Sequence, residues 1–259
     1  MVGLETLDCP PGHCGRLLHV SRPTGVVLVI PAWNEAEAIG AVLDEVPRHL
    51  VDDVLVVVGS DGDPTRSVAQ AHGARVLVQG SRGYGAACWT GAEAALAQGA
   101  ETIAFMDGDY ADPPADLATI LAPIQHGQAD LVLGCRDLRR FPDALPPHAK
   151  LGNALVCLLV RLLVRTRLSD LPSYKAIRAD ALLQLNMCEM TYGWTVEMVV
   201  KASRVGLRIE EVPVTYRPRR GGQSKVGGSL RGSLVAAYTL LGCAVTYATR
   251  SELSSASGH

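Results

Sequence analysis

The chain has 259 residues, 48% of them hydrophobic and 19% charged, with a formal net charge of −2. That is enough apolar material for one sizeable core, and it excludes a disordered or low-complexity chain outside the polar end at 251–259. The seven cysteines are an odd number without framework spacing. Cys88, Cys135, Cys157 and Cys243 lie in apolar segments and read as buried thiols of a reducing compartment.

The N-terminal stretch is polar, carries Pro10-Pro11 and lacks a signal-peptide pattern. Cys9, His13 and Cys14 find no fourth ligand nearby, so zinc is not expected there. Gly25 to Ile30 is a continuous apolar run that predicts a buried strand stopped by Pro31. Asn34 is the expected N-cap of a helix carrying Ala36, Ile39, Val42, Leu43 and Val46 at helical spacing. Val54 to Val58 predicts a second strand, the turn cluster Gly59 to Pro64 follows, and a helix runs to about His72. Arg75 to Val78 is the third strand, and a glycine-rich loop with Gly80, Gly83 and Gly85 opens an Ala-rich helix to Gln98. Ile103 to Met106 is the fourth strand, a helix covers about Ala115 to His126, and Asp130 to Gly134 is the fifth strand. This alternation predicts an α/β fold with a mostly parallel central sheet and helices on both faces.

After Arg136 the pattern changes. A proline-containing loop leads to an amphipathic helix over about Ala149 to Arg165, with a leucine face interrupted or flanked by Arg161, Arg165 and Arg167. A helix is expected over Val196 to Val205 and a strand over Leu207 to Tyr216. Ser233 to Thr249 is uncharged and largely apolar, and at about 17 residues it suits a packed or interfacial helix better than a membrane span. Charge is unevenly shared: residues 1–135 carry 6 Lys/Arg against 17 Asp/Glu, and residues 136–259 carry 18 against 9. An acidic half suited to a cation thus precedes a basic half suited to phosphates or anionic lipid.

The most informative stretch is Thr102-Ile-Ala-Phe-Met-Asp107-Gly-Asp109, a strand that ends in two aspartates two residues apart. Ligands bind beyond the carboxyl ends of strands in open α/β sheets. Carboxylates there can hold a divalent cation that also binds substrate phosphates. Three further features share that edge: Pro31-Ala-Trp-Asn-Glu35, the acidic turn with Asp61 and Asp63, and Gly83-Tyr84-Gly85 at a helix start. There, glycines permit close backbone approach and the helix terminus favours an anion. A nicotinamide dehydrogenase is disfavoured, because its glycine fingerprint would stand where Pro31 to Glu35 does. A nucleotidyltransferase lacks its basic glycine loop at the same place, and nucleic-acid binding lacks aromatic platforms.

Ile30-Pro-Ala-Trp-Asn-Glu35, Gly83-Tyr-Gly-Ala-Ala87, Phe105-Met-Asp-Gly-Asp109, Gly134-Cys-Arg136, Tyr192-Gly-Trp-Thr-Val-Glu197 and Glu211-Val-Pro-Val214…Gly222-Gln-Ser-Lys225 occur in order. Together they resemble family 2 glycosyltransferases of GT-A fold, in particular the branch similar to dolichol-phosphate mannose synthase. The likeness implies a catalytic domain over 24–230, with a nucleotide-binding half at 24–136 and an acceptor half at 137–230. An extension would precede it at 1–23, and an apolar helix and tail would follow at 231–259.

The resemblance implies an inverting enzyme that uses a nucleotide-diphosphate sugar and Mg²⁺ or Mn²⁺. Asp107 and Asp109 would be the metal carboxylates, Asp109 the more direct ligand, and Pro31, Ala32, Glu35, Gly83 and Gly85 would line the nucleotide. Arg136 would face phosphate, and Arg219, Ser224 and Lys225 would lie on a loop closing over the donor. A polyprenyl-phosphate acceptor is implied, with the enzyme in the cytoplasm and in peripheral contact with the inner face of the membrane; homo-oligomerisation stays open. Glu197 is either an acceptor-side carboxylate or one ion-paired with Lys201 or Arg204. For a neutral hydroxyl acceptor, Glu197 or Asp170 would be the base. One departure stands out: the family's base-binding aspartate after the second strand is Val57 here, and the sequence leaves open whether Asp61 or Asp63 replaces it.

Overall fold

The computed structural model describes residues 25–220 and 240–248. Ser224, Lys225, the Cys9/His13/Cys14 group and, from the 233–249 segment, residues 233–239 and 249 lie outside them. Seven strands form one sheet: β1 (Val26–Ala32), β2 (Asp53–Val58), β3 (Arg75–Val78), β4 (Thr102–Phe105), β5 (Leu131–Asp137), β6 (Lys175–Arg178) and β7 (Ile209–Thr215). Their order is β3-β2-β1-β4-β6-β5-β7. All neighbouring pairs are parallel except those of β6, which runs antiparallel to both β4 and β5.

Side chains alternate across each strand, and the two faces carry separate cores. Val27 and Val29 of β1 face a layer built from α3 (Tyr84–Ala97), α5 (Pro147–Val164), α6 (Ala179–Leu185) and α7 (Trp194–Arg204). Val26, Leu28 and Ile30 face α1 (Ile39–Glu45), α2 (Thr65–Ala71) and α4 (Leu117–Gln125). β1, β2 and β4, in the middle of the sheet, are therefore buried on both surfaces, which is why β1 and β2 read as unbroken apolar runs. Residues 240–248 are helical, and Cys243, Ala244 and Tyr247 pack into the first of these cores.

Two expectations from the sequence are corrected here. Pro31 does not stop β1: the strand continues to Ala32, with Pro31 paired to Val57 of β2. On the other side the β4 ladder has already ended at Val29–Phe105, so that segment loses no sheet bond there by lacking an N–H. Asn34 is not an N-cap. It sits in the left-handed region at φ 56°, and α1 begins only at Ile39.

Because β1 to β5 and β7 run parallel, their carboxyl ends share one edge. The inverted β6 starts at that same edge, with Lys175 opposite Phe105. The loop before it, around Pro172 and Ser173, is thereby delivered to the place where Asp107 stands.

Candidate functional site

A cavity of about 730 Å³ opens along this edge. Pro31, Ala32, Glu35, Gly83, Asp107, Asp109, Arg136 and Arg219 line it; Asp61, Gly85 and Glu197 do not.

Its acidic centre is made by the turn after β4. Asp109 is almost fully buried; one oxygen accepts the Ala111 amide at 2.9 Å and the other pairs with the Arg219 guanidinium at 2.7 Å. Among the described residues, Asp107 Oδ1 is buried without a hydrogen-bond partner. Behind them Asp112 accepts the Ser173 hydroxyl at 2.7 Å and the Asp107 amide at 3.3 Å, and its own Oδ1 is also unpartnered. Burial, and then the charges of Asp109 and Asp112, push Asp107 up to about 7. Burial and Asp109 push Asp112 up to about 6. Three carboxylates crowded away from water, two with orphan oxygens, form a field that calls for positive charge. Arg219 supplies some of it.

No group of three His, Cys, Asp or Glu side chains among the described residues is spaced to hold a metal alone. The donor set therefore fits an ion that takes two carboxylates and completes its shell with ligand oxygens and water, as Mg²⁺ does with phosphates.

Arg136 lines the cavity, but its charge is already engaged. Its Nε and backbone N–H donate to Asp170 Oδ2 at 2.7 and 3.0 Å, its Nη2 pairs with Asp170 Oδ1, and the guanidinium lies 5.4 Å from the Tyr216 ring centre. Asp170, the alternative base candidate, is thus buried and held in a forked ion pair. Glu197 takes the ion-pair alternative. Its side chain is fully buried, 2.6 Å from Lys201, and accepts the amides of Cys188 and Glu189 at 2.7 to 3.1 Å. It braces the 188–192 loop from behind, which is why it does not line the cavity. Arg204 instead donates to the Tyr247 carbonyl.

The two acidic residues after β2 divide their roles. Asp61 points to solvent beside Arg66. Asp63 is buried and spends its carboxylate on the amides of Asn34 and Thr65, clamping the β1 and β2 loops together. Neither takes the place that Val57 leaves.

Gly83 lines the cavity as expected and Gly85, inside α3, does not, but both are also pressed against protein backbone. Gly83 has φ 149°, and a Cβ there would lie 2.0 Å from the Met190 carbonyl oxygen; at Gly85 it would lie 2.3 Å from that of Glu189. The amides of Gly85 and Ala86 donate to the Thr191 and Met190 carbonyls at 3.0 and 2.9 Å. The start of α3 is therefore capped by protein backbone, and its glycines admit the close approach of the 189–191 loop. That loop carries Thr191 and Tyr192 into the cavity wall.

Sequence reasoning missed Trp33, Gln79, Arg82, Ser173 and Tyr216 as lining residues. Gln79 and Arg82 follow β3, so the shared-edge rule already used for Asp61 and Asp107 would have found them. Ser173 had no such signal, because β6 itself was not expected.

A model of glycosyl transferase family 2 matches residues 27–182. An uncharacterized glycosyltransferase of Mycobacterium tuberculosis is 37% identical over 214 residues, covering 82% of this chain and 94% of that protein. The undecaprenyl-phosphate mannosyltransferase of Micrococcus luteus is 31% identical over 240 residues, covering 86% and 96%. Among solved structures, glucosyl-3-phosphoglycerate synthase from Mycobacterium tuberculosis, in complex with Mn²⁺, UDP-glucose and phosphoglyceric acid, superposes with a TM-score of 0.70 at 21% identity. That match covers 86% of this chain and 79% of that one. This likeness shows the GT-A fold.

Proposed function

The chain belongs to glycosyl transferase family 2, and on that footing we propose that it transfers a sugar, with inversion, from a nucleotide diphosphate to a polyprenyl-phosphate acceptor. The observation that carries this reading is the pair Asp107 and Asp109 at the end of β4, facing the cavity with an orphan buried oxygen and Arg219 beside them. These two carboxylates would hold Mg²⁺ or Mn²⁺, which would screen the diphosphate and the charge developing on the leaving nucleotide. Arg219 now neutralises Asp109; released from it, the guanidinium is placed to meet a donor phosphate.

Two features favour a phosphate acceptor over a hydroxyl. A phosphate is already an anionic nucleophile and needs no base, and both base candidates, Glu197 and Asp170, are tied into buried ion pairs. The relative from Micrococcus luteus bears a name that fits this acceptor class. Helix α5 supports a membrane-surface reading. Leu151, Leu155, Leu158 and Leu162 form an exposed stripe, with Leu151 73% and Leu162 70% exposed. The helix has the length and composition to cross a bilayer. Lying flat with Lys150 and Arg161 at the headgroups is the arrangement we propose, in peripheral contact with the membrane that holds the acceptor.

The test is incubation with a panel of nucleotide sugars and a polyprenyl phosphate, with Mn²⁺ or with chelator, and detection of the glycolipid by mass spectrometry. Metal-dependent glycolipid formation is expected. Transfer only to water-soluble hydroxyl compounds would overturn the acceptor reading.

A further inference from the structure

The cavity extends well past the acidic centre, and the strand order fixes how far. Strands β4, β1, β2 and β3 are consecutive neighbours, so at a strand spacing of about 4.8 Å the end of β3 lies about 14 Å from the end of β4. A nucleoside diphosphate with its phosphates at Asp107 and Asp109 is long enough to put its base there. The lining changes character at that end: Trp33 follows β1, Gly59 and Ser60 follow β2, and Gln79 and Arg82 follow β3. Val57, fully buried, lines the same stretch.

Gly59 is the joint of this slot. A Cβ there would lie 3.3 Å from Trp33 Cδ1 and 3.6 Å from Gln79 Nε2, so the indole and the amide flank one bare backbone position. The Gln79 backbone is fixed by its N–H donating to the Val58 carbonyl at 3.0 Å. Its side-chain amide has no hydrogen-bond partner among the described residues. Trp33 is 47% exposed, and the planar Arg82 guanidinium lies over its ring at 5.6 Å, a placement that a flat heterocycle can take or share.

Resting on the nucleotide-diphosphate reading above, we infer that this slot reads the donor's base and that the neutral Gln79 amide selects uracil over guanine. Uracil presents one N–H between two carbonyls. A carboxamide matches it, with Oε1 accepting from N3–H and Nε2 donating to a flanking carbonyl. Guanine presents N1–H and its 2-amino group side by side, a pair of donors that the two oxygens of a carboxylate satisfy. A carboxamide can meet N1–H and O6 in the same way, but it then leaves the 2-amino group, a donor with no counterpart in uracil, without a partner. The carboxylates of the β2 loop are unavailable, since Asp61 faces solvent with Arg66 and Asp63 is held by Asn34 and Thr65. Glu35, which also lines the cavity, is the competing selector.

The experiment is calorimetric titration of the full chain with UDP and with GDP in the presence of Mn²⁺, for wild type, Gln79→Ala, Gln79→Glu and Glu35→Gln. Wild type is expected to bind UDP at least tenfold more tightly than GDP. Gln79→Ala should weaken UDP about tenfold and GDP by clearly less, and Gln79→Glu should tilt the ratio toward GDP. A wild-type preference for GDP, an equal loss of both nucleotides in Gln79→Ala, or a ratio moved by Glu35→Gln and not by Gln79→Ala would overturn this inference alone. Binding of neither nucleotide by folded wild-type protein would overturn the donor reading, and this inference with it.

Discussion

Replacing Gly85 with alanine tests whether the glycines before α3 exist to seat the 189–191 loop. The added Cβ would stand 2.3 Å from the Glu189 carbonyl oxygen and 2.7 Å from the Met190 carbonyl carbon, both backbone atoms that cannot rotate away. Restoring van der Waals contact requires the loop to retreat by about 1 Å. Overpacking of this kind costs about 1–3 kcal/mol, and stretching the two bonds from Gly85 and Ala86 to Thr191 and Met190 adds about 1 kcal/mol. For a domain of this size the total corresponds to a fall in Tm of roughly 10 °C. Thr191 and Tyr192 move with the loop, so kcat/KM should drop by about 10²-fold even in the folded fraction. Gly152→Ala in α5 is the control: nothing lies within 4 Å of its Cβ, and it should stabilise by up to about 1 kcal/mol. A Gly85→Ala protein with wild-type Tm would refute the seating argument, and wild-type Tm with lost activity would return Gly85 to a ligand-contacting role.

Glu197→Ala should cost about 3–5 kcal/mol in urea unfolding, because it strands Lys201 beside a loop that has lost its brace; unchanged stability with lost turnover would instead mark Glu197 as acting on the acceptor. The Leu155→Gln/Leu162→Gln double variant should keep its stability within about 0.5 kcal/mol, since both side chains are already half or more exposed, yet lose flotation with anionic liposomes. Equal flotation would remove α5 from the membrane account. Asp130, hydrogen-bonded by Arg208 and held down at about 2, contributes stability that is complete above its unfolded value near 4 and fades as pH falls through 2. Acid unfolding followed by circular dichroism should therefore begin at a higher pH in Arg208→Ala, and a coincident curve would show the pair to be inert.

The parts of the fold that the sequence made legible are those where burial on both faces wrote long apolar runs, as in Val26 to Ile30 and Val54 to Val58. Two aspartates closing such a run were legible for the same reason, since a strand's carboxyl end has a fixed place in a parallel sheet. Strand β6 was not legible. Lys175–Arg178 is four residues long with a charge at each end, and nothing local says that Lys175 is buried with its ammonium held by the Ser173 carbonyl and the Thr195 hydroxyl. Pro31 misled because the rule against proline in strands concerns lost ladder bonds, and none is lost where β4 has ended. Asp61 and Asp63 looked equivalent as turn residues. Only the packing of the β1 loop against the β2 loop separates the exposed one from the clamp.

The central claim is that Asp107 and Asp109 dock a diphosphate through a divalent ion, and calorimetry on wild type and Asp109→Asn with UDP and GDP, with and without Mn²⁺, tests it most directly. Nucleotide binding should require Mn²⁺ in wild type and weaken by roughly a hundredfold in the variant, the loss expected when a charge-bearing ligand to the ion is removed. Affinity that is the same under chelator, or unchanged by the asparagine, would contradict the account.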